Sequence, residues 1–176
     1  MIHIRPATIA DATALSSLYT ANWSFLEPWE PARDDTFLTP AGQEARLAMA
    51  EAEREGGTSY RCVICDDQDI VGMVSLSAIE RGPVQSAHLG YWVAQAANGR
   101  GVATTAVAAM LELAFGGLGL HRLQAGTLVH NAGSQKVLMR NGFERIGLAK
   151  SYLKIAGEWQ DHILFQRLAY GDASPR

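Results

Sequence analysis

Two glycines flank an arginine at Gly99-Arg100-Gly101, directly behind the apolar run Leu89-Gly90-Tyr91-Trp92-Val93 and directly ahead of a helical stretch. No acidic residue follows nearby. A helix start leaves several backbone N–H groups without partners and carries the positive end of the helix dipole, so a glycine-lined turn from strand to helix suits an anion. Three phosphate loops share this outline. The P-loop requires Gly-Lys-Ser/Thr at a set distance, and that pattern is absent. A dinucleotide loop requires a third glycine where Thr104 stands, and an acid about 20 residues on to hold a ribose hydroxyl. The segment Leu120-His121-Arg122-Leu123-Gln124 offers no acid. What remains is a loop for a pyrophosphate without that ribose contact, with Arg100 as added charge. A turn that needs glycine only for its backbone fits the same residues.

Cys62 and Cys65 form a C-x-x-C pair. A zinc site would need a second pair of ligands at matching spacing, and none is evident, so no metal is expected. A redox pair usually opens a helix, whereas these cysteines flank Val63 and Ile64 in a strand-like run. Side chains three apart in a strand point to opposite faces. Both are read as core or half-buried thiols.

The elements that position these residues come from periodicity. The chain has 176 residues, 48% of them hydrophobic and 19% charged, with a formal net charge of −3. That length suits one domain, taken as residues 1–170 with a short tail at 171–176. The negative balance argues against a direct nucleic-acid partner. No apolar run reaches the roughly 18 residues of a membrane span, and the first residues lack the apolar core of a signal peptide. A cytoplasmic protein is therefore expected.

Residues 2–7 read as a first strand. Thr8 and Asp11 resemble a capping box ahead of a helix with Leu15, Leu18 and Tyr19 on its apolar side. Residues 25–35 (FLEPWEPARDD) are rich in proline and aromatics and read as a loop. Thr39-Pro40 reads as an N-cap with proline in the first turn of a second helix, ending at Gly56-Gly57. Strands follow at 60–66, 70–80 and 86–93, the first two joined by a tight turn. Val107, Met110, Leu111, Ala114 and Phe115 form one helical stripe, stopped by Gly116-Gly117. A strand at 122–129, a helix at 134–141 closed by Gly142, and two strands in 151–168 around Ala156-Gly157-Glu158 complete the chain. The order β-α-α-β-β-β-α-β-α-β-β implies an α/β fold, a mixed sheet with helices on its faces.

The stretch from Leu89 to Val107 resembles the acetyl-CoA loop of the GNAT acetyltransferases, whose motif runs Gln/Arg-x-x-Gly-x-Gly/Ala. Here it reads Asn98-Gly99-Arg100-Gly101-Val102-Ala103, with asparagine in place of Gln/Arg. Residues 131–147 are similar to the second motif, Asn-x-x-Ser followed by a helix and Gly-Phe. Residues 25–35 and 149–165 resemble the Rim-type branch, which acetylates the amino termini of ribosomal proteins. The resemblance covers nearly the whole chain.

It implies a mostly antiparallel sheet splayed between the strands near 88–93 and 122–129. It implies that Tyr91, Trp92 and Val93 line the pantetheine arm of acetyl-CoA, with core packing as the other reading of Tyr91 and Trp92, and that Asn98, Gly99, Arg100, Gly101, Val102, Ala103 and Thr104 hold the pyrophosphate. Asn131 and Ser134 match the second motif. Asn131 would bind the arm, and Ser134 would meet the departing sulfur or serve as a helix N-cap. His88 stands where many relatives carry a carboxylate, and histidine accepts a proton near neutrality. Glu30 competes for that role from the loop expected to roof the acceptor site. Asp161 and His162 have two readings, a border of the acceptor site and, foremost, satisfaction of the terminal hairpin.

The implied reaction is direct attack of an amine on the thioester, and the implied acceptor is a protein or peptide amino terminus, with a ribosomal protein foremost. Two other readings stand beside it: an acetyltransferase of small-molecule amines, and an acetyl-CoA-binding domain without catalysis. The expected assembly is a monomer or a homodimer.

Overall fold

The computed structural model describes residues 1–169, so the expected tail at 171–176 lies outside the described residues. The element order matches the one read from the sequence: β1 (Ile2–Pro6), α1 (Ala12–Leu26), α2 (Pro40–Glu55), β2 (Tyr60–Asp66), β3 (Asp69–Glu80), β4 (Ser86–Val93), α3 (Val102–Glu112), β5 (Arg122–Leu128), α4 (Ala132–Arg140), β6 (Glu144–Ile155) and β7 (Glu158–Leu168).

One seven-stranded sheet runs in the order β1-β2-β3-β4-β5-β7-β6. Every pairing is antiparallel except β4 with β5. That parallel pair is short, joining Ser86 to Arg122, Ala87 to Leu123 and His88 to Gln124, and then stops. Beyond it β4 follows β3 as far as Gly72 opposite Val93, while β5 follows β7 as far as Leu128 opposite His162. Each strand keeps its outer neighbour, so the two diverge. The facing backbone groups of Leu89–Val93 and Ala125–Leu128 have no rungs between them.

A different hydrophobic core packs on each face of the sheet. On one face, Val102, Ala106, Val107 and Met110 of α3 and Leu138 of α4 bury against Ile64, Leu76, Leu89, Leu123 and Phe165. On the other, Leu15 and Tyr19 of α1 and Leu47 of α2 pack on Val63 and Cys65. Strand alternation explains the division. It also sends the two cysteines apart: Cys62 belongs to the first core and Cys65 to the second. Burial pushes the Cys62 thiol up to about 12 and raises that of Cys65 as well. Both are therefore inert at neutral pH.

Local chemistry sets the helix ends. Thr8 N–H donates to the Asp11 carboxylate at 2.9 Å, closing a 3-10 turn at Ile9–Asp11 before α1. Thr39 Oγ1 accepts from Gly42 N–H at 3.0 Å, an N-cap typically worth ~1 kcal/mol. Gly142, at φ +74, follows α4 in the left-handed conformation, and Phe143 N–H donates back to the Leu138 carbonyl. The stripe on α3 is as expected, but its last turn, Leu113–Gly117, widens to a π-helical turn before the chain leaves.

The structure corrects three boundaries. α1 continues through Phe25 and Leu26, and a 3-10 turn at Glu27–Trp29 precedes the loop. Pro28 explains the stop, because its ring excludes the α-helical hydrogen bond and restricts the residue before it. β6 begins at Glu144, seven residues before the expected start, and carries a bulge in which Lys150, Ser151 and Tyr152 lie between the pairs Ala149–His162 and Leu153–Gln160. The helix expected from Ser134 starts at Ala132, with Asn131 as its N-cap.

Candidate active site

The divergence of β4 and β5 opens a cavity of about 630 Å³. Its walls include Tyr91, Trp92, Val93, Asn98, Gly99, Gly101, Val102, Ala103, Thr104, Asn131, Ser134 and Glu30, so twelve of the expected site residues meet in one place. His88 and Arg100 do not form its walls. His88 is exposed, on the ladder rung opposite Gln124 and below the point where the strands part. Arg100 is drawn to Asp66 at 2.7 Å and holds that carboxyl below the usual range.

Gly101 is the N-cap of α3 in the left-handed conformation, φ +80, and no side chain caps the helix. Gly99 is likewise left-handed, and a Cβ on either glycine would meet nothing within 4 Å. The two glycines are needed for backbone conformation, and they leave the space in front of the helix start clear of protein. The first-turn N–H groups of α3 thus open onto the cavity with the positive end of the dipole behind them. Lys136 and Arg140 of α4 add cationic charge to this wall. Asn98 turns away, its side-chain amide donating to the Ala94 and Gln95 carbonyls at 3.4 Å.

Alternation along β4 separates two neighbouring aromatics. Tyr91 packs with the α3–α4 core, and Trp92 packs against Tyr19, ring centroids 4.4 Å apart, in the α1 core. Tyr91 reaches α4: its hydroxyl lies 2.8 Å from Ser134 Oγ and donates to the Ser134 carbonyl at 3.1 Å. Burial pushes the Tyr91 phenol up to about 12, so it stays a neutral donor. Asn131 Oδ1 accepts from Ser134 N–H at 3.0 Å. The cap belongs to Asn131, so the Ser134 hydroxyl is not used as a cap and is shared with Tyr91.

The roof is the segment after α1. Glu30 pairs with Arg33, and the Glu30 carbonyl accepts from Ala156 N–H in the β6–β7 turn at 2.9 Å. Trp29 stacks near His130 in the loop between β5 and α4, centroids 5.3 Å apart. Phe37, 2% exposed, anchors the far end between the guanidinium groups of Arg33 and Arg46. On the outer side of this roof lies a second cavity of about 720 Å³, with Glu27, Asp34 and Asp35 in its walls and with Glu30 and Pro31 shared with the first.

Sequence reasoning did not pick out Thr127, whose hydroxyl is buried in the cavity wall without a hydrogen-bond partner. It also missed Gly90 and Gly126, which face the cavity from the two diverging strands. A lone threonine and two strand glycines carry no periodic signal. Of the two readings of His162, the hairpin and a border of the acceptor site, the structure places its ring in the wall of the cavity. Asp161 does serve the hairpin, accepting from Ser151 N–H at 2.8 Å.

The chain over residues 2–144 matches the model of the acetyltransferase (GNAT) domain. It belongs to the GNAT family of N-acetyltransferases, which draw the transferred group from acetyl-CoA. It is 37% identical over 163 residues to a Bacillus subtilis (strain 168) protein named "Probable N-acetyltransferase YjcK", covering 92% of this chain and 90% of that protein. It is 36% identical over 156 residues to the [ribosomal protein uS5]-alanine N-acetyltransferase of Escherichia coli (strain K12), covering 88% and 80%. Among solved structures, Mycobacterium smegmatis RimJ in complex with CoA-disulfide superposes with a TM-score of 0.93 at 34% identity, covering 98% of this chain and 84% of the other.

Proposed function

We propose that this protein transfers the acetyl group of acetyl-CoA to the α-amino group at the amino terminus of a protein, with a basic ribosomal protein as the acceptor class. The observation that carries the reading is the cavity between β4 and β5. It is walled on one side by the helix start of α3 and by α4, and on the other by the roof segment and β7. A donor held on the first side meets an acceptor admitted from the second.

The residues present suit such a donor. Left-handed Gly99 and Gly101, the uncapped start of α3 and the cations Lys136 and Arg140 favour a pyrophosphate. The unpaired edges of β4 and β5 favour an arm that carries amide groups, by strand addition. Bound there, acetyl-CoA supplies an activated acetyl group as a thioester. On this reading Asn98 to Thr104 cradle the pyrophosphate, with Arg100 acting from its pair with Asp66. Asn131 fixes the start of α4 beside the arm. Tyr91 and Ser134 present hydroxyl groups to the leaving sulfur, where donors that stabilise developing charge contribute most. Glu30 holds the roof, and His88 takes no part.

The acceptor follows from acid–base chemistry and from the relatives. An α-amino group with a pKa of about 7.7–8 is roughly one-tenth neutral at pH 7, whereas a lysine near 10.4 is neutral in under about one part in a thousand. A site with modest basic help therefore suits a chain terminus. The E. coli relative is named for acetylating an alanine of ribosomal protein uS5. Glu27, Asp34 and Asp35 give the outer cavity a negative wall, complementary to basic residues behind the terminus. Such an enzyme works in the cytoplasm, where ribosomal proteins are made.

The test is acetylation of a peptide library by the purified protein, with the modified nitrogen located by mass spectrometry. Turnover of alanine- or serine-initiated peptides at the α-amino group is expected. Faster turnover of spermidine or an aminoglycoside would move the enzyme to the small-molecule class, and binding of acetyl-CoA without transfer to any amine would leave a binding domain.

A further inference from the structure

We infer that His162 is the group that takes the proton from the attacking amine. The inference rests on the acetyl-transfer reading above.

His162 sits on β7 opposite Leu128, at the open end of the gap between β4 and β5. It is 3% exposed and yet forms part of the cavity wall, so the ring reaches solvent only through the cavity. Its Nδ1 lies 3.0 Å from the Gln160 carbonyl oxygen, which can only accept. Nδ1 therefore carries the hydrogen, and Nε2 keeps its lone pair in the neutral ring. No protein group among the described residues bonds to Nε2. A buried imidazole with a fixed tautomer and an unused acceptor nitrogen, in the wall of the reaction cavity, has the form of a general base.

The surroundings favour the role. His162 shares its face of the sheet with Gly126, which leaves room beside the ring: the nearest atoms a Cβ there would meet include His162 Cδ2 at 3.6 Å. This is the face under the roof, opposite the one that carries α3 and α4. An amine entering beneath the roof thus meets the imidazole before it meets the Tyr91–Ser134 pair. The other candidates are less suited, since Glu30 is tied to Arg33 and His88 lies outside the cavity.

The groups around His162 are few. From β6 comes Tyr152, its ring centroid 5.7 Å away, brought over by the bulge. Elsewhere in the same cavity wall stands Glu30, paired with Arg33. On its own strand Asp161 bonds to Ser151 N–H. β5 contributes Gly126 and Leu128, which do not titrate.

The proton count closes. The neutral amine nitrogen bonds to the thioester carbon, its extra proton passes to His162 Nε2, and the carbon–sulfur bond breaks to release a thiolate. The imidazolium then gives its proton to solvent. Both the amine and the imidazole must be neutral for this step. At acid pH log kcat/KM consequently rises with a slope of two against pH, one unit from each group.

The experiment uses whichever amine the wild-type protein acetylates, so that failure of the acceptor reading appears as absent wild-type turnover and is told apart. His162→Gln and His162→Ala are compared with wild type. Both are expected to lose about 10²-fold or more in kcat, with unchanged acetyl-CoA Kd by calorimetry. The acid slope should fall from two to one. In the unmodified protein without ligand, 15N NMR of labelled histidine should give the Nδ1-protonated tautomer for His162. A slope of two retained in His162→Gln overturns the assignment, as does a kcat within about threefold of wild type. An Nε2-protonated tautomer does so without any activity measurement, even if neither variant folds.

Discussion

The Tyr91 hydroxyl lies 2.8 Å from Ser134 Oγ and 3.1 Å from the Ser134 carbonyl oxygen. If the phenol hydrogen goes to the carbonyl, the Ser134 hydrogen is drawn back to Tyr91 and none points into the cavity. If it goes to Oγ, the Ser134 hydrogen is free to meet a developing thiolate. The pair is thus a two-position donor that a negative charge in the cavity would set. Ser134→Ala is expected to lower kcat by on the order of 10²-fold with little change in acetyl-CoA Kd. Tyr91→Phe follows it in the same direction, and the double variant loses less than the product of the two losses. Steady-state kinetics of the three variants checks this, and a kcat within about twofold of wild type for Ser134→Ala would reduce that residue to a structural part of α4.

On the proposed reading, donor binding depends on what stands in front of α3. Gly101→Glu places a side chain and a negative charge at the cleared helix start, and it strains a left-handed position. Loss of measurable acetyl-CoA binding by calorimetry is expected, with the fold intact by circular dichroism. Arg100→Ala weakens binding by less than about fivefold, because its charge is exposed and already shared with Asp66.

The acidic wall of the outer cavity has its own signature. An alanine-initiated peptide with lysines at its third to sixth positions is expected to show a higher kcat/KM than a neutral one. The advantage shrinks with added salt, since charges separated by more than about 8–10 Å are screened near physiological ionic strength. Glu27→Gln and Asp35→Asn reduce it too. Glu30→Gln acts differently, because Glu30 is joined to Arg33 and its loss loosens the roof for both peptides. Equal rates for the two peptides at low salt would remove electrostatic selection.

Acid stability turns on Asp11. Its nearly buried carboxylate accepts two bonds from Arg5, at 2.7 and 2.9 Å, and one from Thr8 N–H, and these hold its pKa below the usual carboxylate range. A group with a lowered folded-state pKa stabilises the protein above its unfolded pKa, and that contribution is lost as pH falls through the folded value. Asp11→Asn is expected to cost about 1–2 kcal/mol near pH 7, with the difference from wild type fading in acid as pH falls below the usual carboxylate range. Urea denaturation near pH 7 and in acid measures it, and a cost that does not shrink in acid would assign it to packing.

Much of this was legible from local patterns. The stripe on α3, the Thr39-Pro40 start of α2 and the glycines around Arg100 each signal within a few residues, and the elements they define bring twelve candidate residues to one cavity. The misreadings arose where a signal was broken or distant. The bulge at Lys150–Tyr152 interrupts the alternation of β6, which hid its first half. Ser134 looks like a cap because the true cap stands three residues earlier. Tyr91 and Ser134 are 43 residues apart and Arg100 and Asp66 are 34 apart, so neither pair leaves a trace in any short window. The His162 tautomer depends on one carbonyl two residues away, a detail only coordinates supply.

The three-rung junction between β4 and β5 also makes the sheet two panels hinged along a seam. β1 to β4 form one panel and β5, β7 and β6 the other, bridged chiefly by those rungs and by α3 and α4 lying across them. On the proposed reading, a donor arm threaded into the seam would act as a keystone, supplying backbone partners that the strands themselves withhold. Loading the donor and bracing the sheet would then be one event, so the melting temperature is expected to rise with donor concentration by mass action.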